Sequence, residues 1–153
     1  MEFKPRRNHF LVSIISLLFF FSCSETESET PIVVLDAYLK KPLEGAHSTA
    51  AYMSLKNTSS YKIKIKGLTC NNLLAELHQT VLTDSGMTSM NKLNLLTLEP
   101  KSEITLLPGK EHIMLMGKSM TNIAEGINCD LIIEDIDSFP SFKRVPVFFE
   151  MRS

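Results

Sequence analysis

From Ile32 to the C-terminus, short runs of apolar or β-branched residues at alternate positions are separated by short polar breaks. A period of two sends successive side chains to opposite faces of a strand, so each run reads as a strand with one dry face and one wet face. The runs predict strands over 32–39, 49–57, 61–69, 74–83, 87–90, 94–98, 102–107, 112–116, 129–135 and 144–151. The breaks between them include Lys41-Pro42, Asn57-Thr58-Ser59-Ser60, Asp84-Ser85-Gly86, Pro108-Gly109 and Ser138-Phe139-Pro140. Pro108-Gly109 is the sharpest, because proline presets φ and glycine accepts positive φ. No stretch sustains a helical period, although 117–125 has room for one turn. Many short strands in one unit, with no internal repeat and no second domain, predict an all-β Greek-key sandwich or barrel.

The first thirty residues follow a different pattern. Lys4, Arg6 and Arg7 form a basic start, and an apolar run from Phe10 to Phe21 follows, broken only by Ser13 and Ser16. Such a run is too short for a comfortable permanent span and reads as an export signal over 1–22. It ends in Phe20-Phe21-Ser22-Cys23. A small residue directly before a cysteine at the end of a signal core resembles a bacterial lipobox, which makes Cys23 the candidate lipidated first residue of the mature chain. The position three before the cysteine holds Phe20, where a lipobox usually carries leucine, so ordinary signal cleavage is the competing reading. Polar, acidic residues 24–31 then read as a flexible tether to a domain over 32–153. The expected location is the bacterial cell envelope, facing the periplasm and held to a membrane by the lipid.

Composition narrows the partners. The chain is 44% hydrophobic and 22% charged with a formal net charge of −1, which argues against a nucleic-acid binder that would need a basic surface. There is no tryptophan, but there are eight methionines, and Met87, Met90, Met114 and Met116 fall close together. By count alone such a group most simply reads as plastic core or adaptable surface.

Spacing changes that reading. Directly after the Pro108-Gly109 turn, alternation puts His112 and Met114 on one face of a strand and Ile113 and Leu115 on the other. Upstream, His78 lies on another expected strand, in Ala75-Glu76-Leu77-His78, and Met90 follows it. Thioether sulfur is a soft donor suited to Cu(I), and imidazole serves copper broadly. Two methionines and two histidines also survive an oxidising envelope, where thiolates would be lost. Each residue alone would read as packing or surface, as His47 does in its expected loop. Met87 is expected to face away from Met90, and Met116 to pack further along the strand from Met114.

The order His78, Met90, His112-Ile113-Met114 resembles the His(Met)-x10-Met-x21-His-x-Met signature of the periplasmic copper chaperone family called PCu(A)C. Framing residues resemble it too: Ala51-Tyr52-Met53 with Asn57, Ala75-Glu76-Leu77-His78, and Leu107-Pro108-Gly109 before the His-x-Met. The resemblance covers about 32–150. It implies a cupredoxin-like Greek-key β-sandwich without catalytic activity and a Cu(I) site at His78, Met90, His112 and Met114. It also implies delivery of copper to an envelope protein, such as a cytochrome c oxidase subunit or assembly factor, toward the binuclear Cu(A) centre. The optional methionine of the signature is Gln79 here.

Once Cys23 is lipidated, Cys70 and Cys129 are the remaining thiols. They could form a disulfide in the envelope, but the sequence does not show that they meet. Neither lies in a Cys-x-x-Cys motif, and no cysteine lies close to the His-x-Met segment, which counts against thioredoxin-like and blue-copper roles. Nucleophile-elbow, zinc-protease, phosphate-loop and dinucleotide motifs are absent from the sequence. The acidic positions of 130–137 read as the wet face of a strand. A structural or adaptor lipoprotein and a copper redox protein are the alternatives to a chaperone.

Overall fold

A computed structural model describes Met1 and residues 30–118, 120, 123, 125–134 and 144–153. Apart from Met1, the expected signal over 1–22, Cys23, tether residues 24–29, the break at 138–140 and part of 117–125 lie outside the described residues.

The ten expected runs all appear as strands: β1 (Ile32–Lys40), β2 (Ser48–Asn57), β3 (Ile63–Cys70), β4 (Leu74–Leu82), β5 (Thr88–Lys92), β6 (Leu96–Leu98), β7 (Glu103–Thr105), β8 (Glu111–Met116), β9 (Gly126–Ile133) and β10 (Arg144–Arg152). No helix occurs among the described residues. The strands hydrogen-bond in the order β5-β4-β8-β2-β1-β10-β9-β3-β6, and β7 pairs with β2 off that path. All pairings are antiparallel except β1 with β10.

The path doubles back on itself. β3 lies far from β4 along the hydrogen-bonded order, yet the two strands are in contact, as are β2 and β6. Two layers therefore face one another across a single core. The fold line runs through β1, whose pairing with β2 slips between Leu35 and Tyr38. Asp36 sits there at φ 49°, in a left-handed conformation that Asp tolerates better than most residues. The bulge re-aims the strand, so its second half can pair with both β2 and β10.

Alternation decides what fills the space between the layers. Ala51, Met53 and Leu55 of β2, Leu77 of β4, and Ile113 and Leu115 of β8 point inward from one layer. Ile63, Ile65, Leu98, Leu131, Val147 and Phe149 meet them from the other. The core also contains a polar side chain, that of the framing residue Asn57. Asn57 is fully buried, and its amide donates to the carbonyls of Tyr61, Leu98 and Glu99 while its oxygen accepts from the Ser59 N–H and hydroxyl. A buried amide satisfied this completely ties the β2–β3 turn to the end of β6.

Cys70 and Cys129 are register partners on β3 and β9, with Cα atoms 4.2 Å apart, and form a disulfide.

Candidate metal site

β4 and β8 run antiparallel and place His78 directly opposite His112. Their ring centroids are 6.1 Å apart. The same register sets Met114 opposite Glu76 and, across β2, opposite Ala50. On the other side of β4, Lys92 of β5 stands opposite His78 and Met90 stands opposite Thr80. Glu76, His78, Met90, Lys92, His112 and Met114 thus share the outer face of one layer, while Leu77, Ile113 and Leu115 hold the same strands to the core from the opposite face. Residues separated by dozens of positions in sequence are neighbours here because the β-ladder sets their register.

Met90 is the outlying member. It lies diagonal to His78 on the edge strand and is 59% exposed, whereas His112 is 5% exposed. Met87 belongs to the turn before β5, where its carbonyl accepts from the Thr83 N–H, so strand alternation does not govern it as expected. Met116 shares the donor face one step beyond Met114, opposite Leu74 and Ser48. Gln79 has the opposite parity to His78, and its amide donates to Glu111. His47, expected to be structural, is tied through Nδ1 to the Lys118 carbonyl at 2.8 Å.

The two imidazoles are held differently. His112 donates Nδ1–H to the Lys110 carbonyl at 2.9 Å, which leaves Nε2 as the lone-pair nitrogen of the neutral ring. His78 Nε2 lies 3.1 Å from a Glu76 carboxylate oxygen, and its buried Nδ1 has no hydrogen-bond partner. An orphaned buried nitrogen is uncommon and points to a missing ligand. Imidazole–metal bonds are ~2.0–2.1 Å long and a ring nitrogen lies about 1.1 Å from its centroid, so one ion between two rings holds the centroids ~5–6.3 Å apart. The observed 6.1 Å falls inside that range.

Around this pair stand residues that the motif did not mark. The Glu76 carboxylate is hydrogen-bonded to Lys92 and to His78, in that order of effect, and both hold its pKa below the ordinary carboxylate value. Tyr52 lies beside His112, at 6.5 Å between centroids, and Tyr38 lies 5.2 Å beyond it with Arg152 over its face. Burial pushes the Tyr52 phenol above its ordinary value, and neighbouring Tyr38 adds to the shift. Alternation alone could have put Glu76 on the His78 face, and Tyr52 was visible as framing text. Lys92 opposite His78 could not be seen, since that pairing depends on the β4–β5 hairpin register. Among the described residues no group of three His, Cys, Asp or Glu is placed to hold a metal, and the two imidazoles are accompanied by thioethers instead.

The chain matches the LpqE-like family, described as "Putative lipoprotein LpqE-like", over residues 32–134. A search of curated proteins found no match. Among solved structures, the chain is similar to the Cu(I)-bound solution structure of DR1885 from Deinococcus radiodurans, with 27% identity and a TM-score of 0.58 over 80% of this chain and 79% of that one. It is also similar to the copper-bound PCuAC domain from PmoF2, at 19% identity and a TM-score of 0.63, covering 81% and 94%. The apo PCuAC domain from PmoF1 is similar at 18% identity and a TM-score of 0.64, covering 81% and 95%. The sandwich is therefore the cupredoxin-like fold of PCuAC domains. The match over most of the domain assigns the chain plainly: it belongs to the LpqE-like lipoprotein family, a family of PCuAC type.

Proposed function

We propose that the chain is a non-catalytic, envelope-facing metallochaperone that carries one Cu(I) ion on His78, Met90, His112 and Met114. The observation that carries this reading is the cross-strand His78–His112 pair with Met114 two residues further along the same face. Both donor types are neutral and the thioethers are soft, so the set favours Cu(I) without the tight hold of thiolates. Cys70 and Cys129 are already joined to each other, so neither offers a thiolate to the ion. The copper-bound relatives support the metal, and the Cu(I) form of the Deinococcus radiodurans protein supports its oxidation state.

Donor exposure suggests how the ion moves. His112 is enclosed, whereas Met90 is open to solvent on the edge strand. A recipient would replace Met90 first, and the enclosed donors would let go last. The cargo is copper for an envelope protein, and we assign it to assembly of the Cu(A) centre of cytochrome c oxidase. Cys23 is the proposed lipid attachment, residues 24–31 are the proposed tether, and 32–153 are the proposed copper domain. The lipoprotein name of the family supports export and anchoring. Cu(I) titration against a competing chelator, followed by X-ray absorption of the loaded chain, tests the site: one ion with mixed nitrogen and sulfur donors is expected. A chain recovered metal-free after copper loading would refute the proposal.

A further inference from the structure

We propose that Glu76 is a positioning residue that fixes His78 as the Nε2–H tautomer, so that the metal is received on Nδ1. The inference rests on the copper reading of the site and goes one step deeper, to the donor atom.

A neutral imidazole has one N–H and one lone pair, and the bond made by one nitrogen decides the role of the other. His78 Nε2 is 3.1 Å from Glu76, which is two residues away on the same strand and the same face. A carboxylate can only accept, so Nε2 carries the proton. That leaves the lone pair on Nδ1, the buried side-chain atom of the described residues that lacks any partner. Glu76 is itself held, because Lys92, the register partner of His78 on β5, is hydrogen-bonded to its other oxygen. The carboxylate is thus pinned from one side and steers the imidazole on the other. His112 is arranged in the opposite sense, with Nδ1–H spent on a backbone carbonyl and Nε2 left for the ion. One ion between the rings would be bound through Nδ1 of one histidine and Nε2 of the other. Partners that orient a ligating histidine in this way typically change metal affinity by ~10–100-fold.

The test is long-range proton–nitrogen correlation of the histidine rings in the mature chain, without metal and after Cu(I) addition. It is run on wild type, Glu76→Ala and Glu76→Gln, with chelator competition for affinity. In wild type, His78 should be protonated at Nε2 before loading, and Cu(I) should move the Nδ1 resonance while the Nε2 proton is kept. Glu76→Ala should yield a tautomer mixture and an affinity loss of roughly tenfold or more. Glu76→Gln, which keeps an accepting oxygen, should largely retain the wild-type tautomer. His78 protonated at Nδ1 in the metal-free chain, or losing its Nε2 proton on loading, would overturn the inference. So would Glu76→Ala with unchanged tautomer and affinity. If copper does not bind wild type at all, the function proposed above fails, and the metal-free tautomer still reports separately on Glu76.

Discussion

Strands β3 and β4 follow one another through a short turn and both reach the core, yet they are built for different purposes. In β3, Ile63, Ile65, Leu68 and Cys70 are all buried, and a disulfide ties the strand to β9. In β4, Leu77 is the one buried side chain, and the outer face is given over to Glu76 and His78. One end of the sheet is secured by apolar burial and a covalent bond. The other is secured mainly by its backbone ladder to β8 and carries polar groups with incomplete partners. Such groups reduce stability, so they are tolerated where other parts of the fold supply it. The difference implies that stability and metal binding can be perturbed separately.

The sharpest break in that comparison comes from the disulfide. The cysteines are 59 residues apart, and closing a loop of that length restricts the unfolded chain by about 4 kcal/mol. Replacing both with alanine should lower unfolding stability by roughly that amount in a denaturant titration. Cu(I) affinity of the folded variant should be unchanged, because the pair lies on β3 and β9 while the donors lie on β4, β5 and β8. A parallel loss of affinity would show that the two ends are not independent.

The reverse experiment is His112→Ala. It removes a donor and one of two hydrogen bonds to the Lys110 carbonyl, which still accepts from the Thr80 N–H, and its main effect should fall on the metal. Affinity should drop by at least ~100-fold, the upper end of what losing a mere orienting partner costs. Met114→Ala should behave in the same direction. The stability cost of His112→Ala should stay near the ~0.5–1.5 kcal/mol of one lost hydrogen bond. An unchanged Cu(I) affinity in both variants, measured against a chelator, would remove these residues from the site.

Met90→Ala should cost less, about tenfold in affinity, or ~1.4 kcal/mol. Its exposure and its place on the edge strand give it fewer fixed contacts than the enclosed donors. The more telling measurement is the rate of copper loss to a chelator, which should rise in Met90→Ala, because the position a recipient would open by displacing that sulfur is already open. A loss as large as that of His112→Ala would place Met90 among the enclosed ligands.

These residues also show what could be read before the fold was known. All ten strands were legible from their short runs and breaks; burial alternates clearly in β6, β7, β9 and β10, whereas β5 is exposed along most of its length. Their ends were less so: β9 begins at Gly126, ahead of the expected 129, since strand ends depend on where the ladder with β10 runs out. The shared face of His112 and Met114 follows from period two within one strand. The pairing of His78 with His112, and of Lys92 with His78, depends on register between strands, which local pattern does not encode. The disulfide was undecided for the same reason. Gln79 illustrates the value of register, since its parity turns it away from His78 and toward Glu111.

The smallest expected effect belongs to the covalently tied end and is electrostatic. Glu134, just past β9, lies between Lys64 at 3.1 Å and Lys66 at 3.7 Å. Lys64 chiefly, and Lys66 after it, hold its pKa below the ordinary carboxylate value. At pH values near the ordinary carboxylate range the unfolded chain therefore binds more of this proton than the folded one. The resulting stabilisation is fully present above that range and is lost as pH falls through the depressed folded value. Glu134→Gln should be slightly less stable than wild type at neutral pH, and its stability should fall less steeply on acidification. Because these side chains are exposed, added salt should shrink the gap. Thermal midpoints of both chains across the acidic range, at low and high salt, check this. Parallel acid profiles would mean that the ion pairs at this end contribute nothing, leaving the buried side chains and the disulfide as its whole support.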